Sequence, residues 1–345
     1  MPAQQPSDTP SRHAITSDPL RPGTLADFHG QPDVERELGI LLGAANSRRE
    51  PPAHVLLSGP PGLGKTTLAA IIAHETNLPI VAVAAPSLTS PSDLTTILIG
   101  LDRPAVLFVD EIHQLPLTVE ETLYTAMEDN RIDIVVAENT QRRRVIPMTI
   151  APFTLVGATT RTGSLGAPFR DRFGYIARLR PYTPDTLATI VTVNADKLGL
   201  PMDADAATLI ASRSRGTPRI ANRLLRRVRD YQHAEHATGT ITVDYAQTAL
   251  DAFGVDTIGL TSVDRDLLTA LCKDFGGGPV GVATLAAVIG ETPAAVEDVN
   301  EPYLMRAGLL ARTPRGRVAT AAAFTHIGLP VPAHLHVDTL DLDTM

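Results

Sequence analysis

Short apolar runs alternate with helix-like stretches along the first half of the chain. The apolar runs have the length of strands and occupy residues 54–58, 80–84, 105–109 and 154–157. Continuous apolar runs of this length are typical of strands that are buried on both faces of a sheet. Because helix-like stretches separate them, the pattern predicts a parallel α/β sheet.

One segment, residues 132–150, departs from this alternation. Two extended arms, both partly apolar, flank a polar and Arg-rich stretch at residues 138–144. This pattern has no helical period, so it predicts a β-hairpin that projects from the α/β domain.

The strand pattern stops near Tyr182, and helical patterning takes over. Thr217 and Pro218 have the residue types of an N-cap and a first helical position, so they mark the start of one of the helices. The whole region predicts a second, all-helical domain, with helices over residues 185–198, 204–212, 218–235 and 243–253.

A third region begins near Gly259. Helices are predicted over residues 263–275 and 282–289, and another opens at Pro293 and ends before Gly308. Two short strands follow, at residues 309–313 and 317–320. Three helices and a two-stranded wing are the pattern of a winged-helix domain. The predicted domains are 20–182, 183–254 and 255–330, and the polar ends, 1–19 and 331–345, are expected to be disordered.

The composition is that of a multidomain globular protein. The chain has 345 residues, of which 43% are hydrophobic and 20% charged. No apolar run reaches membrane-spanning length, and the polar N-terminus has no apolar segment of a secretory signal. A single cysteine, Cys272, excludes an intramolecular disulfide and a cysteine-based metal cluster. We therefore expect a cytoplasmic protein with no membrane partner.

The charge balance argues against general affinity for nucleic acid. The formal net charge is −8 and the pI is about 5.7, whereas binding to phosphate backbones needs a positive surface. A local basic patch remains compatible with these values, so the placement of the charges decides.

Residues 59–66, Gly-Pro-Pro-Gly-Leu-Gly-Lys-Thr, form a Gly-rich loop between a predicted strand and a predicted helix. Glycines let backbone N–H groups approach a phosphate, and the following helix N-terminus adds partial positive charge. In a P-loop of this kind Lys65 reaches the β- and γ-phosphates, Thr66 binds Mg²⁺ and Thr67 lies beside the α- and β-phosphates. The alternative is a Gly-rich turn before an ordinary helix, and the flanking strand favours the P-loop.

Two carboxylates, Asp110 and Glu111, end a predicted strand. The carboxyl edge of a parallel sheet is where such domains bind ligands. There Asp110 would hold Mg²⁺ through water, and Glu111 would act as general base on the attacking water. Asp-Glu after a strand is common, so this interpretation depends on the P-loop earlier in the chain.

Three further segments hold candidates for nucleotide chemistry. Thr159 and Thr160 end another strand, where a hydroxyl could orient the attacking water; an ordinary strand-end turn is the alternative. Arg170 and Arg172 lie between Phe169 and Phe173, and an arginine there could be an arginine finger that reaches a neighbouring subunit. The alternative is a surface ion-pair cluster. Arg219 opens the helix after Thr217 and would face the nucleotide.

Arginines crowd the predicted wing on an otherwise acidic chain. Arg312, Arg315 and Arg317 surround its turn, and Arg306 precedes it. A wing commonly touches a duplex backbone, so the patch predicts DNA contact. A basic surface for a protein partner is the alternative.

These motifs together resemble the RuvB family, bacterial AAA+ motors that drive branch migration of Holliday junctions. The resemblance covers about residues 18–330. Its most specific parts are SRSRGTPRIANRLLRRVRD at residues 212–230 and RTPRGR at residues 312–317, since the P-loop alone would indicate only an ATPase.

The resemblance implies an architecture and partners. The expected fold is an α/β P-loop AAA+ ATPase domain with a β-hairpin insertion, an all-α lid domain and a C-terminal winged-helix domain. Six subunits would encircle double-stranded DNA at a four-way junction, with ATP and Mg²⁺ as cofactors. The hairpin at 132–150 would dock on RuvA, and RuvC would join in a resolvase complex.

The resemblance also implies roles for individual residues. Nucleotide contacts are implied for Leu20, Arg21, Gly62, Gly64, Lys65, Thr66, Thr67, Glu128, Asp129, Asn130, Arg172, Tyr182 and Arg219, and DNA contacts for Arg312, Arg315 and Arg317. Of the two arginines between Phe169 and Phe173, the resemblance implies Arg172 as the arginine finger offered to the neighbouring subunit.

Some positions depart from the family pattern. Gln114 stands where the family has Arg, Asn130 replaces a large apolar residue, Thr261 replaces Asp, and the hairpin tip lacks a Gly-Pro turn. The altered hairpin tip concerns the details of the RuvA contact, not the ATPase.

The leading hypothesis is an ATP-driven DNA translocase that works with RuvA. The alternative from another class is a clamp-loader-like or protein-remodelling AAA+ ATPase whose hairpin and winged helix dock on proteins. A third hypothesis is an inactive nucleotide-binding switch, against which Asp110, Glu111 and Arg172 argue.

Overall fold

The computed structural model of the protein describes residues 18–137 and 143–335. They separate into two compact units. The first contains residues up to 201 together with 216–223, and the second contains 202–215 and the residues from 224 onward. The two ends predicted to be disordered, 1–19 and 331–345, lie mostly outside the described ranges, because residues 1–17 and 336–345 are not described. The hairpin tip at 138–142 also lies outside them. The finer boundaries, 182/183 and 254/255, stay a prediction.

The first unit is built on a parallel sheet, as the apolar runs predict. Its five strands lie in the order β2-β3-β6-β1-β7 and pair in parallel throughout. Strand β7 was not predicted, because it has only four residues and its outer positions are partly exposed. The strands of this unit are β1 Val55–Ser58, β2 Ile80–Ala84, β3 Ala105–Asp110, β4 Arg131–Ala137, β5 Arg143–Thr149, β6 Phe153–Thr159 and β7 Tyr175–Arg178.

Helices separate the strands of this sheet. Local sequence sets several of their starts: α1 has proline at its first position, and Ser90 with Asp93 forms a capping box on α3. Buried apolar residues from α3, α4 and α5 and from β1, β3 and β6 form one core. The helices are α1 Pro32–Arg48, α2 Lys65–Glu75, α3 Pro91–Ile99, α4 Leu117–Asp129, α5 Ala167–Arg170 and α6 Pro184–Lys197.

The predicted hairpin is present. Strands β4 and β5 pair antiparallel, from Arg131 opposite Thr149 to Ala137 opposite Arg143. Val145, Ile146 and Met148 on β5 are exposed, so this arm presents apolar side chains to its surroundings.

The second unit contains the remaining helices and the predicted wing. Helix α8 begins in the first unit and ends in the second. The predicted helices at 263–275 and 293–307 both contain π-helical turns, Ala270–Asp274 and Val296–Asn300, and α14 was not predicted. The elements are α7 Ala204–Ser212, α8 Pro218–Ala234, α9 Val243–Ala252, α10 Ser262–Thr269, α11 Val282–Ile289, α12 Pro293–Ala295, α13 Glu301–Arg306, β8 Leu310–Thr313, β9 Gly316–Ala319 and α14 Ala321–His326.

A buried polar cluster joins the helical and winged-helix parts of the second unit. The Arg215 guanidinium forms an ion pair with Asp264 and donates to the Gly259 carbonyl at 2.6 Å, and Asn300 donates to Asp264 at 2.6 Å. Burial alone would raise the pKa of Asp264, but the Arg215 charge and the hydrogen bonds from Thr261 and Asn300 hold that pKa below its usual value. The paired charge therefore fixes α10 against the segment before α8.

Over the two described ranges, no helix is both long and apolar enough to cross a bilayer. Cys272 is buried, and desolvation raises the pKa of its thiol to about 11.

Candidate nucleotide site and wing

The Gly-rich loop at residues 59–66 runs from the end of β1 into α2, which begins at Lys65. Gly59 has φ of +146°, and a Cβ there would lie 2.7 Å from the Leu179 carbonyl oxygen. Gly62 has φ of +84°, and a Cβ there would lie 3.1 Å from Arg219 Cβ. Side chains would therefore distort the loop, and it leads directly into a helix N-terminus, the arrangement that binds phosphate.

Lys65 is buried in this loop, with 7% of its surface exposed. Its ammonium donates to the carbonyl oxygens of Gly59 at 2.7 Å and Pro60 at 3.1 Å. Burial lowers the pKa of Lys65, nearby Glu111 and Asp110 act in the opposite direction, and the Arg219 charge lowers it further. The structure thus brings together the lysine, both predicted carboxylates and the predicted helix-start arginine.

The carboxylates lie at the carboxyl edge of the sheet, where β3 and β6 are neighbours. Glu111 adopts a left-handed backbone with φ of 49°. Its Oε2 accepts a hydrogen bond from Thr160 Oγ1 at 3.2 Å and lies 3.3 Å from His113 Nδ1. Thr159 Oγ1 lies 3.1 Å from the same His113 nitrogen. Both predicted threonines are therefore linked to the predicted base, one directly and one through His113.

The first turn of α8 lies against the Gly-rich loop. The Arg219 N–H donates to the Gly62 carbonyl at 3.3 Å, and the Tyr182 N–H donates to the Gly216 carbonyl at 2.9 Å. The Tyr182 hydroxyl donates to the Leu63 carbonyl at 3.2 Å. Two residues far apart in sequence, Tyr182 and Arg219, thus border the same loop.

The remaining predicted nucleotide residues occupy varied positions. Thr66 and Thr67 form the first turn of α2 and are partly exposed. Leu20 is buried, with its N–H donating to Asp18 Oδ1 at 3.1 Å, and Arg21 is exposed. Contact of Leu20 and Arg21 with a nucleotide base stays a prediction.

The oxygen ligands in this site fit Mg²⁺ better than a closed metal centre. Among the residues described, no group of three or more His, Cys, Asp or Glu side chains could hold a metal ion. The Thr66 hydroxyl and the Asp110 carboxylate supply hard oxygen ligands, and Mg²⁺ is commonly held by one or two protein oxygens together with substrate phosphates and water. The site is thus suited to a magnesium–nucleotide complex.

Arg172 is held by partners on α4 and α5. Its Nη2 pairs with Glu128 at 3.0 Å, its Nη1 donates to the Pro168 carbonyl at 2.6 Å, and its guanidinium lies 4.5 Å from the centre of the Tyr124 ring. Its Nε is buried without a hydrogen-bond partner among the described atoms. The structure therefore places the predicted finger beside Glu128, another predicted nucleotide residue, at the end of α4.

Two neighbours of Glu128 close this helix. Asp129 is the last residue of α4, and Asn130 follows with a left-handed φ of 47°. Arg131 lies 3.9 Å from Asp129. The sequence interpretation of 128–130 as nucleotide residues stays a prediction.

The three wing arginines differ in their surroundings. Arg312 and Arg317 are opposite each other across β8 and β9, and Arg315 is in the connecting turn. Arg315 is exposed, whereas Arg317 is buried at 7% exposure and paired with Glu301 at 2.6 Å and Glu297 at 2.7 Å. Arg306, grouped with the wing by sequence, instead donates to the Arg215 carbonyl at 2.6 Å.

Several site residues were missed by sequence reasoning. His113 follows the Asp110–Glu111 pair and Tyr124 lies on α4, and neither was assigned a role from the sequence. Glu297 and Glu301, which pair with the wing, are on helical segments well before it. Nothing in the sequence indicates that a carboxylate on one helical segment pairs with an arginine in a later strand, so only the tertiary structure reveals these partners.

Family models match most of the chain. The model described as "Holliday junction DNA helicase RuvB P-loop domain" matches residues 20–179, "RuvB AAA lid domain" matches 182–256, and "RuvB C-terminal winged helix domain" matches 257–328.

Curated relatives are similar over nearly their full length. The chain is 53% identical over 322 residues to a Nocardioides protein named "Holliday junction branch migration complex subunit RuvB", covering 93% of this chain and 89% of the relative. A Corynebacterium jeikeium protein of the same name is 55% identical over 313 residues, covering 91% and 88%.

Solved structures of a RuvB protein are similar to this chain over nearly the same residues. The structure of the Thermotoga maritima RuvB Holliday junction branch migration motor has a TM-score of 0.82 and 44% identity, covering 91% of this chain and all of that one. A mutant of the Thermotoga protein has the same TM-score at 45% identity, covering 90% of this chain and 100% of that one.

Proposed function

The chain belongs to the RuvB family, and from that premise we propose that it is an ATP-driven motor that moves the branch point of Holliday junctions. The observation that carries the proposal is the set of groups around Lys65. A phosphate cradle, two carboxylates and an arginine from α8 converge on one buried ammonium. This set serves phosphate transfer, whereas a passive binding module would need only the cradle.

Each residue then has a part in hydrolysis. Lys65 and the backbone N–H groups of the loop hold the β- and γ-phosphates and balance the charge that develops on them. Glu111 accepts a proton from the attacking water, with Thr160 and His113 holding its carboxylate in place. Thr66 and Asp110 would hold Mg²⁺, which when bound neutralises phosphate charge.

Arg172 acts on the nucleotide of a neighbouring subunit. Its present partners, Glu128 and Tyr124, both belong to α4. The Arg172 side chain keeps 26% of its surface exposed, so a phosphate from outside the subunit can reach it. We place it as an arginine finger in a hexameric ring, so each active site is shared by two subunits.

The proposal extends to partners and location. The ring would encircle double-stranded DNA at a four-way junction, with the wings touching the backbone and multivalency compensating for the acidic chain. The exposed apolar side chains of the β4–β5 hairpin would dock on RuvA, and RuvC would join in a resolvase complex. The site of action would be the bacterial cytoplasm.

Branch migration of a synthetic four-way junction, followed by fluorescence, tests the function. With ATP, Mg²⁺ and RuvA present, the protein should separate the labelled arms, and the Glu111→Gln variant should bind nucleotide but fail to separate them. Absence of strand exchange by the unaltered protein under all these conditions would refute the proposal. ATP-dependent remodelling of a protein substrate, with no effect of DNA, would favour the clamp-loader-like alternative.

Mixing variants tests the shared site. Lys65→Ala subunits and Arg172→Ala subunits should each be inactive alone, and a mixture should recover part of the ATPase activity because some interfaces carry both intact residues. A mixture that stays as inactive as either variant counts against an arginine finger in trans.

A further inference from the structure

The charge of the wing is mostly neutralised before any ligand arrives. Arg312 pairs with Glu297 at 3.2 Å, and Arg317 pairs with Glu301 and Glu297. Of the three wing arginines, only Arg315 lacks a hydrogen bond or ion pair to the described residues. Together, the three guanidiniums and the two carboxylates carry a net charge of +1, so the wing is far less basic than its three arginines alone would make it.

The two carboxylates differ in accessibility. The Glu301 side chain is 3% exposed and binds both Nε and Nη2 of Arg317, which makes it a fixed internal partner. The Glu297 side chain is 33% exposed. A single oxygen of Glu297, Oε1, accepts from both Arg312 Nη2 and Arg317 Nη2. Glu297 is therefore the partner that water and ligand can reach.

An open cavity beside this cluster, lined in part by the wing arginines, is large enough to admit a phosphate group. Its volume is about 570 Å³, and it lies between the wing, residues 312–317, and residues 281–283 at the start of α11. Backbone N–H groups in the first turn of a helix favour anions. A phosphate in this cavity would meet Arg312, whose guanidinium already contacts Glu297, so phosphate and Glu297 would draw on the same side chain.

We propose that Glu297 is a positioning residue for DNA binding that competes with the phosphate backbone for Arg312. The inference rests on the proposed function, since it presumes that the wing contacts DNA. Glu297 orients Arg312 and Arg317 while no DNA is bound, and it takes Arg312 back when a phosphate leaves. The contact made by each wing is consequently weak and quickly reversible, as a motor that must release DNA at every step requires.

The test measures duplex DNA binding by the full-length protein over a series of salt concentrations, using fluorescence anisotropy. Glu297→Gln should raise the affinity about three- to tenfold at low salt, and it should steepen the plot of log affinity against log salt by about one ion, because an added phosphate contact releases about one counterion. The matched control is Glu291→Gln, which removes the same charge from an exposed position in the same domain and should change neither quantity.

Two further variants make the outcome decisive. Combining Glu297→Gln with Arg312→Ala should remove the gain, since the freed guanidinium is then absent. Arg315→Ala should weaken DNA binding on its own. Suppose that Arg315→Ala weakens DNA binding. If Glu297→Gln then leaves the affinity and the salt slope unchanged, or lowers both together with the melting temperature, the competition is refuted and the DNA-binding role of the wing stands. If Arg315→Ala and Arg312→Ala both leave DNA binding intact, the proposed DNA contact itself fails.

Discussion

The Gly-rich loop and the wing both offer positive side chains to phosphate, but they hold those charges in opposite ways. Lys65 contacts neutral carbonyl oxygens, and its carboxylate neighbours act on it without a direct hydrogen bond among the described contacts. Arg312 and Arg317 are each in direct contact with a carboxylate. One site keeps its charge for the ligand, and the other gives most of it to the protein.

This difference teaches how much binding energy each site can supply. A phosphate that enters the loop meets a buried charge and fixed N–H groups, which are strong in a low-dielectric site. A phosphate that enters the wing must replace an existing ion pair, so the net gain is small. On the proposed function, tight nucleotide binding and transient DNA contact would thus be built from similar residue types with different partners.

The largest expected effect is at Lys65. Lys65→Ala should lower ATP turnover by about 10²-fold or more, because on the proposed function its buried ammonium stabilises the charge that develops on the phosphates. Turnover is measured with junction DNA and RuvA present. The control, Lys197→Ala, removes an exposed lysine from the end of α6 and should leave turnover unaltered. Equal losses in the two variants would mean that the loop gains nothing from its buried charge.

A second variant separates binding from stability within the wing. Arg317→Ala leaves Glu301 buried without its partner, so it should lower the free energy of unfolding by about 3–5 kcal/mol. Arg312 is exposed, and Arg312→Ala should lower it by less than about 1 kcal/mol. Urea denaturation followed by circular dichroism compares the two. If Arg317→Ala is as stable as Arg312→Ala, the buried pair does not fix the wing.

The smallest expected effect is a response of the first unit to acid, which arises at His54. Burial lowers the pKa of His54, although its contact with the Met127 carbonyl acts the other way, and its Nδ1 accepts from the Leu155 N–H at 2.9 Å. The unfolded chain therefore binds a proton more readily than the folded one. Above pH 6.5 this histidine does not change the free energy of unfolding. As the pH is lowered from 6.5 towards the lower pKa of the folded state, the free energy of unfolding falls by up to about 1.4 kcal/mol per pH unit.

Unfolding curves at pH 7.5 and 5.5 check this effect. His54→Gln should lose part of the difference between the two pH values, whereas His29→Gln, which changes an exposed histidine, should keep all of it. An unchanged difference in His54→Gln would assign the acid response to other groups.

The sequence predicted most of the architecture and missed identifiable parts. The continuous apolar strands, the hairpin and the helix–helix–helix–wing order all come from local periodicity, which depends on residues close in the chain. Strand β7 was missed because its four residues carry no clear period. Helix α14 was missed for a similar reason, since the short Ala-rich stretch at 321–323 has no polar face to contrast with an apolar one.

The candidate site shows the same division. The loop glycines, Lys65 and the Asp110–Glu111 pair form local motifs, so their chemistry could be inferred directly from spacing. Arg219 could be inferred from its place at a helix start. Tyr182 could be assigned only through family resemblance, because nothing in its own segment points to the loop it borders. His113 and Tyr124 received no role, since their parts depend on which side chain lies opposite in space.

The sequence by itself determined which groups this protein can offer to phosphate, because glycine, lysine and arginine have fixed chemistry wherever they lie. Only the tertiary structure decided how much of each charge remains available. Lys65 keeps its charge because carbonyl oxygens surround it, whereas Arg317 spends its charge on Glu301, sixteen residues earlier in the chain. Electrostatic pairing depends on distance in space, and that distance is set by folding.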